Sequence, residues 1–182
     1  MQANSQSDFF PVDRAMRYFS NALACAVMFA VAASSSLAVD VVVPARNHAV
    51  KRGNVNSVDR GWDGLVVVNS AGGMQQWDIE LKGAGKYFLH FEYASGDPRP
   101  VNLFINDKQQ EGQYLKRATG GFFARNLSWD TIGPFEFQQG KNTIRIEAAG
   151  DSPHLAGFVV SDGKSVPDKN AFTKLFPPSA RP

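Results

Sequence analysis

The chain has 182 residues, of which 43% are hydrophobic and 20% are charged, and its 19 basic and 17 acidic side chains leave a net charge of +2. This length suits one domain with a substantial core. A balance so near zero gives no field that would attract nucleic acid or an acidic membrane surface. The single cysteine, Cys25, excludes a disulfide framework within the chain and a multi-cysteine zinc cage.

The first forty residues have the pattern of a secretory signal peptide. Arg17 supplies a positive charge, and an uninterrupted apolar run follows at residues 22–33. Ser36 and Ala38 then place small residues at positions −3 and −1 of a cleavage site. We therefore predict a signal peptide over residues 1–38, cut after Ala38.

Removal of this segment would leave a secreted or periplasmic protein without Cys25. As a helix the apolar run would rise about 18 Å, short of the roughly 30 Å of a hydrocarbon core, so a membrane anchor is the less favoured alternative. Met16 is an alternative start that would place residues 1–15 upstream of the protein. We expect no membrane contact after cleavage.

Alternation of apolar with polar residues predicts strands after residue 39. The predicted strands span residues 65–69, 74–81, 86–94, 101–105, 135–138, 142–148 and 157–161. The third of these places Leu89 and Phe91 on one face and His90 and Glu92 on the other. One buried and one solvated face is typical of an antiparallel sheet, so we expect His90 to be a surface residue.

Turns rich in glycine, proline, asparagine and aspartate separate these strands. Short strands joined by such turns predict an all-β fold, a β-sandwich of jelly-roll or immunoglobulin-like kind, over residues 39–163. Residues 164–182 read as a C-terminal tail, in which Phe172, Leu175 and Phe176 have the spacing of a short docked helix.

Searches for catalytic motifs return nothing. The sequence has no glycine-rich phosphate loop, no nucleophile elbow and no HExxH motif. His48, His90 and His154 lack neighbours at metal-ligand spacing, and no spacing selects a pair of carboxylates for glycoside hydrolysis. We therefore predict no catalytic residues, no bound metal and no cofactor.

Four aromatic residues, Trp62, Phe122, Phe123 and Trp129, lie in or beside glycine-rich loops. A loop aromatic exposes apolar surface unless it packs or binds something. Flat rings beside planar polar groups suit a sugar, whose C–H face stacks on the ring while its hydroxyls form hydrogen bonds. The alternative, which is favoured most for Trp129, is that these rings seal the ends of the sandwich.

Four segments resemble the carbohydrate-binding modules of families 6 and 35. They are WDIELKGAGKYFLHFEYASGDPRPVNLFIND (77–107), ATGGFF (118–123), SWDTIGPFEFQQGKNTIRIEA (128–148) and SPHLAGFVVS (152–161). The resemblance implies a galactose-binding-like jelly roll of two antiparallel sheets. It also implies a non-catalytic role in binding an oligosaccharide or polysaccharide in a cleft between loops.

The resemblance assigns the site position by position. Phe122 follows Thr-Gly-Gly, where these families place an aromatic wall of the cleft, and His154 follows Pro153, where they place an asparagine. A second aromatic comes from the loop before the strand at 74–81, where Leu65 is nearest and Trp62 is three residues away. The family's calcium-binding carboxylates are missing, so no such calcium is expected.

The sequence thus leads to three hypotheses. The first is sugar binding, for which the candidate residues are Trp62, Phe122, Phe123, Arg125, Asn126, Asp151 and His154. The second is a protein–protein or assembly module on the same fold, with a partner bound through the C-terminal tail, because such modules are commonly attached to an enzyme and none is seen here. The third is an undetected hydrolase or lyase.

Overall fold

The computed structural model describes residues 41–166, which all belong to one compact unit. The predicted signal peptide, with Cys25, and residues 167–182 of the predicted tail lie outside this range. The described strands are β1 Val41–Pro44, β2 Val50–Val58, β3 Val67–Leu81, β4 Gly85–Ala94, β5 Asn102–Ile105, β6 Lys108–Gln109, β7 Ser128–Phe137, β8 Gly140–Glu147 and β9 His154–Ser161. Two 3-10 helices span Ala45–Asn47 and Ala124–Asn126.

The strands pair antiparallel in the order β6-β5-β8-β3-β9-β4-β7, with β1 beside β9 and β2 beside β3. Strands β3 and β9 share one register pair, Val68 with Leu155. The sheet therefore divides there into two halves, β2-β3-β8-β5-β6 and β1-β9-β4-β7, that curl over a common core. The predicted all-β jelly-roll sandwich is confirmed.

Large apolar side chains from both halves fill the core. Trp77 of β3 meets Phe158 of β9 edge-on, with ring centroids 5.3 Å apart, and both are fully buried. The indole Nε1 of Trp77 donates to the carbonyl oxygen of Ala45 at 2.9 Å, so this buried donor is satisfied. Trp77 thus joins the two halves and fixes the turn after β1.

The predicted strands agree best where hydrophobic alternation is strongest. Strands β4, β5 and β8 lie within a few residues of the predicted 86–94, 101–105 and 142–148. The segments predicted at 65–69 and 74–81 are one strand, β3, interrupted by the left-handed Gly72 at φ +67° and a register shift in β2. The gap between the two predicted segments is therefore a bulge within one strand.

The prediction that His90 lies on the surface is wrong. His90 is fully buried, with Nδ1 2.9 Å from the Thr131 hydroxyl and Nε2 3.0 Å from the Ser161 hydroxyl. The reason is that the second face of β4 is covered too, and the Gly163 carbonyl oxygen, beyond β9, lies 3.1 Å from the same Nε2. A second set of apolar residues, the outer cluster, includes Ala94 on this face of β4 and consists of Trp62, Val67, Ala94, Ala156 and Val159.

Glu92, predicted on the same solvated face, is also buried. Burial raises the pKa of its carboxyl from 4.5 to about 7, because an ionised carboxylate loses its hydration there. Within residues 41–166, no helix is long and apolar enough to cross a membrane.

Candidate functional site

The loops that carry the predicted site residues meet at one end of the sandwich. Ala94, the last residue of β4, pairs with His154, the first residue of β9. The loops before β3, after β4 and before β7 all approach this point. We call the group of side chains in contact there the loop-end cluster, which comprises Trp62, Asn69, Arg99, Phe122 and His154.

His154 is held as a neutral imidazole in this cluster. The side-chain Nδ2 of Asn69 donates to His154 Nε2, so the ring proton resides on Nδ1. Burial and the nearby Arg99 lower the pKa of His154, while Asp151 raises it to a smaller extent. The Nδ1 atom is buried and has no hydrogen-bond partner in the structure, so the cluster contains an unsatisfied donor that a ligand reaches only when a neighbouring side chain moves.

Phe122 lies at the centre of the cluster. Its ring centroid is 5.2 Å from that of His154, and the Arg99 guanidinium carbon lies 4.2 Å above the ring. The ring also packs on Gly96, where an added Cβ would come within 2.6 Å of Phe122 Cε2. The resemblance implied an open stacking wall, but in this structure Arg99 covers one face of the ring.

Sequence reasoning did not select Arg99. Its Nε donates to Asp97 Oδ1 at 2.7 Å, and its Nη2 lies 3.7 Å from Asp151 Oδ2. The sequence shows that Arg99 precedes a proline at position 100 and lies two residues after Asp97. Nothing near Arg99 in the sequence indicates that its side chain reaches Phe122, which is distant in the chain.

Two hydrogen bonds hold the Phe122 loop against the end of β4. Thr119 N–H donates to the Ser95 carbonyl at 2.7 Å, and Ser95 N–H donates to the Thr119 hydroxyl at 2.8 Å. Asn126 lies against Gly121, and its buried Oδ1 has no hydrogen-bond partner in the structure. The backbone N–H of Asn126 donates to the Phe123 carbonyl at 2.8 Å, which closes the turn that follows Phe122.

Phe123 and Arg125 lie on the outside of the same loop. Phe123 is 54% exposed, and the Arg125 guanidinium carbon is 4.6 Å from its ring centroid. The backbone at Phe123 is extended, so its side chain points away from that of Phe122. The two consecutive rings therefore do not form one platform, and Phe123 presents a separate, accessible face.

Trp62 presents no ring face to a ligand, because it is only 3% exposed. It packs edge-on against His154, with centroids 5.3 Å apart, and belongs to the outer cluster. Leu65 and Trp129 also pack against the outer cluster, which agrees with the packing role that was favoured for Trp129. The structure thus brings together Trp62, Phe122, Asp151 and His154 of the predicted set.

A third arginine–phenylalanine stack, the Phe104–Arg145 stack, lies on the outer face of the other half-sheet. The Arg145 guanidinium carbon is 4.2 Å above the Phe104 ring, and Arg145 forms ion pairs with Asp107 at 3.0 Å and Glu147 at 3.1 Å. This stack has no histidine in contact, and residues 41–166 contain no group of three or more metal-ligating side chains. It is a natural control for the loop-end cluster.

Comparison with solved structures identifies the fold as that of family 35 carbohydrate-binding modules. A family 35 module from Clostridium thermocellum is 25% identical, with a TM-score of 0.58 over 66% of this chain and 96% of that one. A module named Xyl-CBM35, solved with a glucuronic acid-containing disaccharide, is 23% identical, with a TM-score of 0.52 over 64% and 88%.

Part of an enzyme is also similar in structure to this chain. An exo-β-1,3-galactanase from Phanerochaete chrysosporium, solved with β-1,3-galactotriose, is 18% identical with a TM-score of 0.53; the match covers 66% of this chain but 29% of the enzyme. No family model and no curated protein sequence matches this chain.

Proposed function

We propose that this protein is a secreted or periplasmic, non-catalytic carbohydrate-binding protein that holds an oligosaccharide or polysaccharide at the loop-end cluster. The fold is that of family 35 modules, and one neighbour was solved with a glucuronic acid-containing disaccharide. The observation that carries the proposal is the His154 Nδ1 donor, which is buried without a partner beside Phe122 and Arg99. A buried donor costs stability unless a ligand or water accepts its hydrogen bond.

Binding at this cluster would combine hydrogen bonds with contact to aromatic rings. Once a neighbouring side chain moves aside, a sugar hydroxyl would accept from His154 Nδ1, and the Phe122 ring would contact the C–H groups of the same sugar. The exposed Phe123 ring would contact a different sugar unit, on the outer side of the loop. Arg125 and Asn126 flank these rings, and Asp151 lies at the rim. Open sites of this kind bind with Kd of about 10⁻³ to 10⁻⁵ M, or roughly −4 to −7 kcal/mol.

The non-catalytic part of the proposal rests on where the carboxyl groups lie. Glycoside hydrolysis needs an acid of raised pKa facing a second carboxylate across the sugar. The carboxyl of Glu92, whose pKa is about 7, is buried inside the fold, where Glu92 pairs in register with Trp129 and Gly157. The rim carboxylates of Asp97 and Asp151 both approach Arg99.

A glycan array followed by calorimetry tests the proposal. We expect at least one glycan to bind, and Phe122→Ala to weaken its affinity about tenfold or more. Phe104→Ala is the matched control, because Phe104 also lies under an arginine at 4.2 Å but is outside the cluster. Failure of every glycan, or equal affinity of Phe122→Ala and the wild type, would contradict the proposed site.

Three further measurements test whether the protein is non-catalytic and whether it is secreted. Incubation with the glycan that binds should release no product. Fractionation of cells that express the full chain should place the protein outside the cytoplasm, and N-terminal sequencing should begin at Val39 if cleavage follows Ala38. New reducing ends would contradict the non-catalytic role, and a cytoplasmic product with its leader intact would contradict secretion.

A further inference from the structure

The guanidinium of Arg99 has hydrogen-bonding capacity that its neighbours do not use. Its Nε donates to Asp97 at 2.7 Å, and its Nη1 makes a long contact of 3.4 Å with the Ser152 carbonyl. Its Nη2 lies 3.7 Å from Asp151, beyond hydrogen-bond distance. Because guanidinium has five N–H groups, Arg99 retains donors on the two Nη atoms beside Phe122.

The charges around Arg99 favour an uncharged ligand. Two carboxylates, those of Asp97 and Asp151, approach the one guanidinium, and His154 in contact with Phe122 is neutral. The carboxylates are also outermost: Asp97 and Asp151 are 62% and 59% exposed, whereas Arg99 is 19% exposed. A ligand that approaches Arg99 therefore passes two negative charges at the rim.

This arrangement provides donors inside and acceptors at the rim. A sugar hydroxyl both accepts and donates, so two neighbouring hydroxyls can accept from Arg99 and His154 and donate to Asp97 or Asp151. A sugar carboxylate accepts from the same donors, but it donates nothing and is repelled by both aspartates. A like charge placed at the rim thus selects against acidic sugars.

We infer that Arg99 and Asp151 determine specificity at the loop-end cluster by binding two neighbouring hydroxyls of an uncharged sugar, and that the corresponding uronic acid is disfavoured. The inference rests on the proposed function. It assigns Arg99 a role in contacting the ligand, rather than merely covering Phe122. It also separates this chain from the neighbour that was solved with a glucuronic acid-containing disaccharide.

Matched sugars that differ only at carbon 6 test the selectivity. The probes are the methyl glycosides of galactose, glucose and mannose with those of the matching uronic acids, together with the best glycan from the array and its uronate analogue. We expect the neutral member of the preferred pair to bind the wild type about tenfold or more tightly at low salt. High salt should narrow that ratio, because it screens the repulsion from the aspartates.

Single substitutions then test which residues determine this selectivity. Asp151→Asn should raise affinity for the uronate and move the ratio toward one, because it removes one rim charge. Arg99→Lys should weaken neutral-sugar binding about 10- to 100-fold, because lysine lacks the planar pair of donors. Asp107→Asn and Arg145→Lys are the matched controls at the Phe104–Arg145 stack, and they should change neither the affinity for the neutral sugar nor that for the uronate.

The possible results distinguish failure of the proposed sugar binding from failure of the inferred preference for uncharged sugars. If no glycan binds the wild type, the proposed function fails and the inference with it. If a glycan binds but its uronate binds equally well or better, the inference is overturned while sugar binding stands. Tighter binding by Arg99→Ala than by the wild type would also overturn it, since Arg99 would then only block Phe122. Thermal unfolding of each variant checks that the fold is intact.

Discussion

Asn69 donates a hydrogen bond through its side-chain amide to Nε2 of His154, and so links the start of β3 to the start of β9. An amide nitrogen cannot accept a proton, so this contact requires neutral His154. Protonation would break it and place a cation beside Arg99. The proposed site is therefore built around an uncharged histidine.

Acid should weaken both the fold and glycan binding through His154. Its folded pKa lies below the ordinary 6.5, so the unfolded chain binds the proton first and stability falls as pH drops below that value. We expect His154→Gln to lose this dependence. The measurement is the urea midpoint of both proteins from pH 4.5 to 8, taken as a difference, together with an NMR titration of His154.

The control for this titration is His48→Gln, since His48 lies in the turn after β1, outside the cluster. His48→Gln should retain the acid-dependent loss that His154→Gln lacks. An NMR pKa at or above 6.5 for His154 in the folded protein would contradict the neutral, desolvated histidine.

Glu92 should act in the opposite direction over the same pH range. Its carboxyl holds a proton up to about pH 7 when folded but loses it near 4.5 when unfolded, so stability falls as pH rises between these values. The full difference corresponds to about 3 kcal/mol. Glu92→Gln, which stays neutral, should match the wild type near pH 4.5 and be more stable at pH 8.

Chemical denaturation at pH 4.5, 6 and 8 checks this prediction. Glu80→Gln is the control, because it makes the same chemical change on the exposed face of β3, and the two variants are compared at each pH. A Glu92→Gln variant that is less stable than the wild type at pH 8 would show that the ionised carboxylate is compensated in the fold.

Much of the fold could be predicted, because in most strands the residues that alternation marks as apolar are also the residues that the tertiary structure buries. The alternation in 142–148 places Ile144 and Ile146 inside, and both are buried in β8. Strand β2 was not predicted, because its exposed sequence VKRGNVNSV lacks a hydrophobic face. It is a strand because its backbone pairs with β3 along its whole length, and such pairing leaves no local signal.

The prediction of the site was limited for the same reason, because contacts between residues that are distant in the chain leave no local signal in the sequence. Phe122 and His154 were selected from the resemblance, and they are in contact. Arg99 was not selected, because its stacking partner lies in another loop and the contact depends on how those loops pack. The burial of His90 and Trp62 has a similar origin. Alternation along β4 cannot reveal that Thr131 and Ser161 pair with the His90 ring, and nothing near Trp62 in the sequence indicates that its ring packs on His154.

Gly96→Ala should disrupt the candidate site by displacing Phe122. A Cβ at position 96 would come within 2.6 Å of Phe122 Cε2, which is too close for carbon atoms. We expect glycan affinity to fall about tenfold or more, with a shift of the aromatic resonances of Phe122. Gly83→Ala is the control, because the nearest atom there is Tyr87 Oη at 3.9 Å; equal affinities of the two variants would contradict the packing described.

Thr119→Val should loosen the Phe122 loop while leaving its shape nearly unchanged. The substitution removes the hydroxyl that accepts from the buried Ser95 N–H and leaves this donor unpaired, at a cost of about 1–3 kcal/mol. Hydrogen exchange at Ser95 should accelerate and glycan affinity should fall, and Thr119→Ser should restore both. Thr143→Val, on the outer sheet face, should leave both unchanged.

The pairing of β1 with β9 has a practical consequence for how this protein can be attached to a support. Val41, at the start of β1, pairs with Val160, near the end of β9, whereas β9 begins with His154 in the loop-end cluster. The chain therefore enters and leaves the described fold at the pole opposite the candidate site. Immobilisation through either end of the described chain would keep the loops facing the solution. Binding of large polysaccharides to the immobilised protein could then be measured directly.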